Sequence, residues 1–319
     1  MSHIYIYSPS SAVRDKAAFR RGVKRLQALG HEVEIDEAAL ASHTRFAGDD
    51  ATRVAAIGRA AASGADVALI ARGGYGLTRI LPALPYKAIA RAIEKGTRFV
   101  GLSDFTALQL AVLAKTGATT WAGPALGEDF GPEGEPDEIM QACFDDLLAG
   151  AGEGSGWTLP AADAKAHAAK PERHVRQATL WGGNLNVLCA LVGTPYLPAV
   201  KGGVLFLEDV NEHPYRIERQ LTQLLRSGIV DAQKAVLLGG FNRFKLVPGH
   251  DRGYSLKTVV DWFRSQTKTP VYTGLPFGHV PTKVLLPVGR TVDFAVEGRN
   301  ALIYWGHLGH GHDAHDHGH

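Results

Sequence analysis

Three side chains of the types that cooperate in nucleophilic hydrolysis, Ser103, Glu208 and His279, stand in that order along the chain. A serine attacks a carbonyl carbon when a histidine takes its proton and a carboxylate orients that histidine. The order Ser, Glu, His is also that of the α/β-hydrolase type of triad, although the other features of that enzyme type are missing here. Each of the three residues could by itself have either a catalytic or a structural role. The segments around them provide the further evidence for each role.

Ser103 follows an apolar strand predicted at 99–102, and a helix is predicted to begin at Thr106. A serine on such a sharp strand-to-helix turn exposes its hydroxyl, and the backbone amide of Asp104 then points toward an oxyanion formed there. The second glycine of the G-x-S-x-G pattern is absent, because position 105 is Phe. The alternative is that Ser103 or Asp104 is an ordinary helix N-cap.

A glycine-rich turn, Arg-Gly-Gly-Tyr-Gly at 72–76, follows another predicted strand at 67–71. Glycines here would let backbone amides such as that of Gly74 approach an anion closely. The turn matches neither the G-x-G-x-x-G pattern nor the P-loop, so dinucleotide binding is not supported. The alternative is a plain tight turn.

Paired carboxylates, Glu208 and Asp209, end a buried strand predicted at 204–207. Carboxylates in this position usually line a site, because their burial elsewhere is costly. The alternative is that they cap the next helix or pair with Arg216 or Arg219.

His279 is held between two glycines and two prolines in the segment 274–281, Gly-Leu-Pro-Phe-Gly-His-Val-Pro. A rigid backbone is what a catalytic base needs. The alternative is a histidine with a structural role only.

The elements that must position these side chains form two different patterns. Residues 1–150 alternate strands and helices, which predicts an open, doubly wound parallel sheet. Residues 151–175 are rich in glycine and alanine and are predicted to connect the domains, or to cover the active site. Residues 176–306 predict a smaller α+β domain that ends in short strands. The tail 307–319 carries six histidines and is predicted to be disordered, with metal binding only adventitious.

Composition excludes several classes of protein. Lys and Arg number 34 against 32 Asp and Glu, so no excess of positive charge favours nucleic acid as a partner. The two cysteines, Cys143 and Cys189, are far apart and are predicted to be reduced, buried thiols. Neither a signal peptide nor a run of about 18 apolar residues is present, so the prediction is a cytoplasmic protein with no membrane segment.

Five motifs in order, ARGGYG, GLSDFTALQ, WGGNLNVL, GVLFLEDVNEHPYRIERQL and GLPFGHVPTKVLLPVG, resemble the LD-carboxypeptidase family, the muramoyltetrapeptide carboxypeptidases of peptidoglycan recycling. The resemblance covers nearly the whole chain, from Ser8 to about Trp305. It implies a flavodoxin-like N-terminal domain, a smaller C-terminal domain with the site between them, and a homodimer. Two departures concern the substrate: Leu102 stands where the family usually has an aromatic residue, and residues 121–124 lack a histidine often seen before Gly-Pro.

The resemblance also implies roles. Ser103 becomes the nucleophile, His279 the general base and Glu208 the residue that orients it, with the amides of Gly74 and Asp104 as the oxyanion hole. The implied reaction removes a C-terminal D-Ala from a murein tetrapeptide, without a metal or organic cofactor. A carboxypeptidase must also bind a terminal carboxylate, and Arg72, Arg216 and Lys283 are candidates between which the sequence does not choose.

Two alternatives to this function stay open. One is an immunity-type peptidase that cleaves an aminoacyl-nucleotide toxin, with Trp157 or Trp181 stacking on the base. The other is a non-catalytic protein that binds an anionic ligand in the glycine turn.

Overall fold

The computed structural model describes residues 1–168 and 172–307, and within them two β-sheets carry helices on their faces. The strands are β1 (His3–Tyr7), β2 (Glu32–Ile35), β3 (Val67–Ile70), β4 (Arg98–Gly101), β5 (Thr120–Ala122), β6 (Gly154–Thr158), β7 (Glu172–Asn184), β8 (Val204–Val210), β9 (Ala235–Asn242), β10 (Val271–Thr273), β11 (Leu286–Val288), β12 (Thr291–Glu297) and β13 (Asn300–Tyr304). The helices are α1 (Lys16–Ala28), α2 (Asp50–Ala62), α3 (Leu77–Ile80), α4 (Tyr86–Glu94), α5 (Thr106–Thr116), α6 (Glu138–Ala149), α7 (Ala161–Ala166), α8 (Leu185–Leu191), α9 (Pro214–Arg226) and α10 (Leu256–Ser265).

The first sheet has the strand order β2-β1-β3-β4-β5, all parallel, with β11 antiparallel at its edge. This is the flavodoxin-like order, which reverses direction between β1 and β3. Its central strands are buried on both faces, as the unbroken apolar run of β3 predicts. The predicted fold class is confirmed. Loops that leave the carboxyl ends of β1, β3 and β4 therefore meet at one edge, where ligands bind in such sheets.

Helix boundaries follow local signals in the sequence. Asp49 accepts a hydrogen bond from the Thr52 amide at 2.7 Å and so caps α2. Helix α5 ends at Gly117, which adopts the left-handed conformation that terminates helices.

The second sheet has the order β10-β9-β8-β7-β12-β13-β6, with parallel strands on one side of β7 and antiparallel strands on the other. Residues 151–175, predicted as a connection between domains, supply β6, α7 and the start of β7. Backbone pairing of β6 with β13 forms this structure where the glycine-rich composition predicts none. Among the short strands predicted for the end of the C-terminal domain, β11 joins the first sheet rather than the second. The predicted domain boundaries themselves stay predictions.

Other predictions concern single residues. Cys143 and Cys189 are both free thiols, the first half-buried and the second buried. From residue 308 onward the histidine-rich tail lies outside the described residues, and His307 is paired with Glu153 at 2.8 Å. None of the described helices is both long enough and apolar enough to cross a membrane.

Candidate active site

Ser103 occupies a strained turn directly after β4. Its φ is +66°, one of few positive values at non-glycine residues, and it opens a single 3₁₀ turn, Ser103–Phe105, that leads into α5. The left-handed conformation costs an L-residue about 1–2 kcal/mol, and such strain clusters at functional sites. No side chain caps the start of α5, so the alternative of an ordinary N-cap is wrong. The turn instead presents the serine at the sheet edge.

The glycine turn after β3 packs directly against this serine. A Cβ added to Gly73 would lie 2.7 Å from the Cβ of Ser103, closer than real side chains approach. Gly74 has φ +107°, and a Cβ there would lie 2.2 Å from the Ser11 hydroxyl oxygen. Glycine is therefore required at both positions, because the backbone must approach Ser103 and the loop after β1.

Two backbone amides beside Ser103 are unused. Within the described part of the chain, neither the Gly74 nor the Asp104 N–H donates a hydrogen bond. The Asp104 carboxylate has a different role: it accepts from the Ser10 hydroxyl at 2.6 Å and from the Leu77 amide at 2.9 Å. That buried side chain thus holds together the loops that leave β1, β3 and β4.

Glu208 and His279 meet in the second sheet's half of the molecule. Glu208 ends the apolar part of β8, and its Oε2 lies 2.8 Å from Nδ1 of His279. Both side chains are buried. Burial opposes protonation of the imidazole, but the hydrogen bond and charge of Glu208 outweigh it and leave the pKa of His279 raised above its usual value.

Asn184 joins this pair to the serine's helix. Its side-chain Nδ2 donates to Glu208 Oε1 at 3.0 Å, while its backbone N–H donates to the Thr106 hydroxyl at 2.9 Å. Thr106 is three residues after Ser103, in the first turn of α5. Sequence reasoning missed Asn184 as a site residue. Asn184 is the N-cap of α8 and accepts a hydrogen bond from the Val187 amide, so its local signal is only that of a helix start.

Asp209 lies beside Glu208 and is almost fully buried. It accepts hydrogen bonds from Asn184 Nδ2 at 3.1 Å and from the Asn186 amide at 2.9 Å. Burial, together with the charge of Glu208, raises the pKa of Asp209 to about 7. Neither carboxylate pairs with Arg216 or Arg219 in the described residues, so that alternative is wrong.

The structure brings some of the predicted residues together and separates others. Ser103, Gly74 and Asp104 form one group, and Glu208 and His279 another; in the described residues no hydrogen bond joins Ser103 to His279. Among the candidates for carboxylate binding, Arg72 donates to the Ala12 carbonyl at 3.1 Å.

The other two candidates lie in different surroundings. Lys283 is buried 2.5 Å from Asp129 and lines a cavity with His279. Arg216 is half-exposed and contacts Tyr215 and Glu212.

The two tryptophans of the nucleotide alternative are both used in packing. Trp181 is 1% exposed, and its indole N–H donates to Gln233 at 3.0 Å. Trp157 is half-buried and stacks on Phe294 with an interplanar angle of 20°. Trp181 therefore has no free face for a nucleobase.

A doubly wound domain with a strained serine at its edge, facing a domain that carries a buried carboxylate–histidine pair, is typical of a serine hydrolase. The chain belongs to the LD-carboxypeptidase family. Residues 4–123 match the LD-carboxypeptidase N-terminal domain, and residues 177–294 match the C-terminal domain. The resemblance found in the sequence motifs is thereby confirmed, and the chain is a serine-type peptidase of this family.

Similarity to several named proteins supports this family assignment. A muramoyltetrapeptide carboxypeptidase from Oxalobacter formigenes superposes with a TM-score of 0.82 at 36% identity, covering 96% of this chain and 99% of its own. The murein tetrapeptide carboxypeptidase of Pseudomonas aeruginosa is 33% identical over 69% of each chain. The microcin C7 self-immunity protein MccF of Escherichia coli is 28% identical over 72% of this chain and 71% of its own.

Proposed function

We propose that this chain is a serine carboxypeptidase that hydrolyses an L,D-amide bond and releases the C-terminal D-amino acid, D-Ala, from murein tetrapeptides. The observation that carries the proposal is the buried hydrogen bond between Glu208 and His279 Nδ1. This bond leaves the other ring nitrogen, Nε2, as the atom that accepts and returns a proton.

Ser103 is the proposed nucleophile. Its hydroxyl attacks the carbonyl carbon of the scissile amide while His279 Nε2 takes the proton, and the same proton then goes to the departing amine of D-Ala. Water hydrolyses the acyl-enzyme by the same route in reverse. The Thr106–Asn184–Glu208 contacts join the serine's helix to the carboxylate that binds His279, and the proposed reaction requires Ser103 within hydrogen-bond distance of His279 Nε2 in the substrate complex.

The amides of Gly74 and Asp104 are the proposed oxyanion hole. Within the described residues neither amide donates a hydrogen bond, and one belongs to the glycine turn that packs against Ser103 while the other directly follows the serine. Such a donor is worth about 3 kcal/mol in the transition state of other hydrolases. Only the backbone amide of Asp104 has this role, and its carboxylate still accepts the hydrogen bonds from Ser10 and Leu77 that hold the loops together.

The substrate class rests on two relatives. The Oxalobacter and Pseudomonas proteins are named for muramoyl or murein tetrapeptides, and they resemble this chain more closely than MccF does. An immunity-type peptidase would need an aromatic face for the base, and Trp181 does not offer one. The tetrapeptide is therefore the favoured substrate.

Replacement of the nucleophile tests this function. Ser103→Ala should lower release of D-Ala from a murein tetrapeptide by about 10⁴-fold or more, because the nucleophile is lost. Ser265→Ala, on the exposed end of α10, is the control and should keep full activity. Mass spectrometry of the tripeptide product measures both. Unchanged turnover by Ser103→Ala would reject the assignment, and turnover of an aspartyl-sulfamoyl nucleotide instead of the tetrapeptide would favour the immunity alternative.

The family resemblance also supports a cytoplasmic location and a homodimer. Light scattering coupled to size-exclusion chromatography tests the second proposal, because a dimer would have twice the 34.1 kDa mass of the chain.

A further inference from the structure

A buried ion pair lies beside the site and has no part in the proposed proton transfers. Lys283 Nζ is 2.5 Å from Asp129 Oδ1, and the two residues are only 1% and 7% exposed. The second carboxylate oxygen, Oδ2, accepts a hydrogen bond from the Ala125 amide at 2.7 Å. Apolar residues of similar volume are often as stabilising as such a pair, so stability alone does not account for it.

The Asp129 end of the pair is attached to the serine side of the site. Asp129 lies in the turn Leu126–Phe130, and the amide of Gly127 in that turn donates to the carbonyl of Ala71 at 3.0 Å. Ala71 directly precedes the glycine turn that packs against the proposed nucleophile. A Cβ added to Gly127 would lie 3.3 Å from the same carbonyl oxygen, so the two segments are in close contact. The position of Asp129 is therefore fixed relative to the proposed oxyanion hole.

The Lys283 end of the pair belongs to the loop that carries His279. The Val284 amide donates to the Pro276 carbonyl at 2.8 Å, and this bond closes the loop around the histidine. Directly after the loop, β11 pairs with β5 of the first sheet. Lys283 therefore lies at the point where the chain returns from the proposed general base to the first sheet.

We propose that Lys283 and Asp129 are a positioning pair, which holds the loop of His279 at a set distance from the glycine turn, and that Lys283 does not bind the substrate's terminal carboxylate. The inference rests on the proposed function, because His279 must stay within reach of Ser103 when the substrate is bound. A displacement of about 1 Å at a reacting group can cost about 10²-fold in rate. A contact that fixes the base relative to the oxyanion hole therefore matters for kcat.

Two single variants and one double variant test the pair. Lys283→Met and Asp129→Asn each leave one charge buried without its partner, so both should lower the midpoint of urea unfolding. The double variant Lys283→Met, Asp129→Asn removes both charges and should keep a midpoint close to that of wild type. Its kcat on a murein tetrapeptide should still fall by about tenfold or more, with KM within about twofold, because the base is no longer held in position.

Hydrogen–deuterium exchange measures the same contact without substrate. In the double variant, the amides of Gly127 and Val284 should exchange about tenfold faster than in wild type. The reason is that the segments on the two sides of the pair are released from each other, so the hydrogen bonds of these amides open more often.

The double variant Arg59→Met, Asp36→Asn is the matched control. Its Asp36 side chain is also fully buried and lies 2.7 Å from the Arg59 guanidinium. Among the described residues that line the cavity beside His279, neither member of this second pair occurs. The kcat of the control, and the exchange of the Gly127 and Val284 amides in it, should stay within about twofold of wild type.

Three results would contradict the proposal. Wild-type kcat in the double variant at Lys283 and Asp129 would show that the pair contributes to stability alone. A raised KM with unchanged kcat in Lys283→Met would make Lys283 a residue that binds the substrate. Unchanged exchange of Gly127 and Val284 in the double variant would reject the positioning pair whether or not the enzyme is active. Failure of the wild type to hydrolyse any murein tetrapeptide would instead reject the proposed function.

Discussion

The serine side and the histidine side of the site are constructed from different parts of the protein. Around Ser103 the working parts are backbone: a left-handed turn, a glycine turn against the serine and two unused amides. Around His279 they are buried side chains, namely Glu208, Asp209 and Asn184. The first side depends on shape, so added atoms should damage it. The second depends on charge, so a change that keeps the shape but removes a charge should damage it.

The largest effect is expected from such a change at Glu208. Glu208→Gln keeps the size of the side chain but removes the charge that orients and stabilises the imidazolium, so kcat should fall by about 10³–10⁴-fold. As the proposed base, His279 can accept a proton only above its pKa, which the hydrogen bond and charge of Glu208 raise. Without that charge, burial lowers the pKa, and the acid limb of the kcat/KM profile should move to lower pH.

Glu212→Gln is the control for this variant, because Glu212 is a nearby carboxylate that pairs only with Arg216 in the described residues. Its pH profile should match the wild type. If Glu208→Gln kept more than a tenth of the wild-type kcat, the histidine side would not depend on charge as argued.

The glycine turn gives the second-largest effect. In Gly73→Ala the new Cβ would be 2.7 Å from the Cβ of Ser103, so either the serine or the loop with the Gly74 amide must move. Loss of one oxyanion donor elsewhere costs about 10²–10³-fold in kcat, and a similar fall is expected here. Gly58→Ala is the control, since Gly58 lies in α2 with open space around it. Activity of Gly73→Ala within fivefold of wild type would show that the turn does not shape the serine side.

Local sequence signals were enough to select the candidate site residues, and the family resemblance supplied their roles. Ser103 follows an apolar strand, Glu208 ends one, and His279 is framed by Gly and Pro, so each could be named before the fold was known. The fold class follows from the alternation of strands and helices in the same way. Local signals suffice here because strand ends are where a parallel sheet exposes its functional side chains.

The parts that sequence reasoning missed depend on distant contacts. Asn184 reads as a helix N-cap, and its link to Thr106 spans 78 positions of the chain. Likewise, nothing in the short run of β11 indicates that it pairs with β5 of the first sheet. Glycine-rich β6 is a strand only because β13 is beside it. The contacts of Asn184 and the strand pairing of β6 and β11 depend on residues distant in sequence, so local composition does not predict them.

Asp209 gives a third, smaller effect, on stability. Its pKa is about 3.8 in the unfolded chain and about 7 in the folded protein, so between these values the folded protein holds the extra proton. Stability should therefore fall as pH rises through this window, by up to about 1.4 kcal/mol per pH unit. Asp209→Asn cannot titrate, and relative to wild type it should gain about 2–3 kcal/mol between pH 5 and 7.

Urea unfolding at pH 5 and pH 7 measures the free energy of unfolding of wild type and Asp209→Asn. A hydrogen bond that the new amide forms less well would lower the stability of the variant equally at both pH values, so the difference between them reports the proton alone. Asp231→Asn, at an exposed site, should leave the pH dependence as in wild type. An Asp209→Asn slope equal to that of wild type would mean that Asp209 does not hold a proton in the folded protein over this pH range, contrary to the effect expected from its burial beside Glu208.

The smallest effect tests the strain at Ser103 itself. Ser103→Gly and Ser103→Ala both lack the proposed nucleophile, but glycine adopts φ +66° without a Cβ clash. The free energy of unfolding of the glycine variant should therefore be about 1 kcal/mol higher than that of the alanine variant. At Ser227, where φ is −82°, the order should reverse, because glycine loses more entropy on folding. If alanine were the more stable choice at both positions, the turn would store no strain. The serine side would then be held by the Gly73 contact alone, and its shape would depend on packing rather than on backbone conformation.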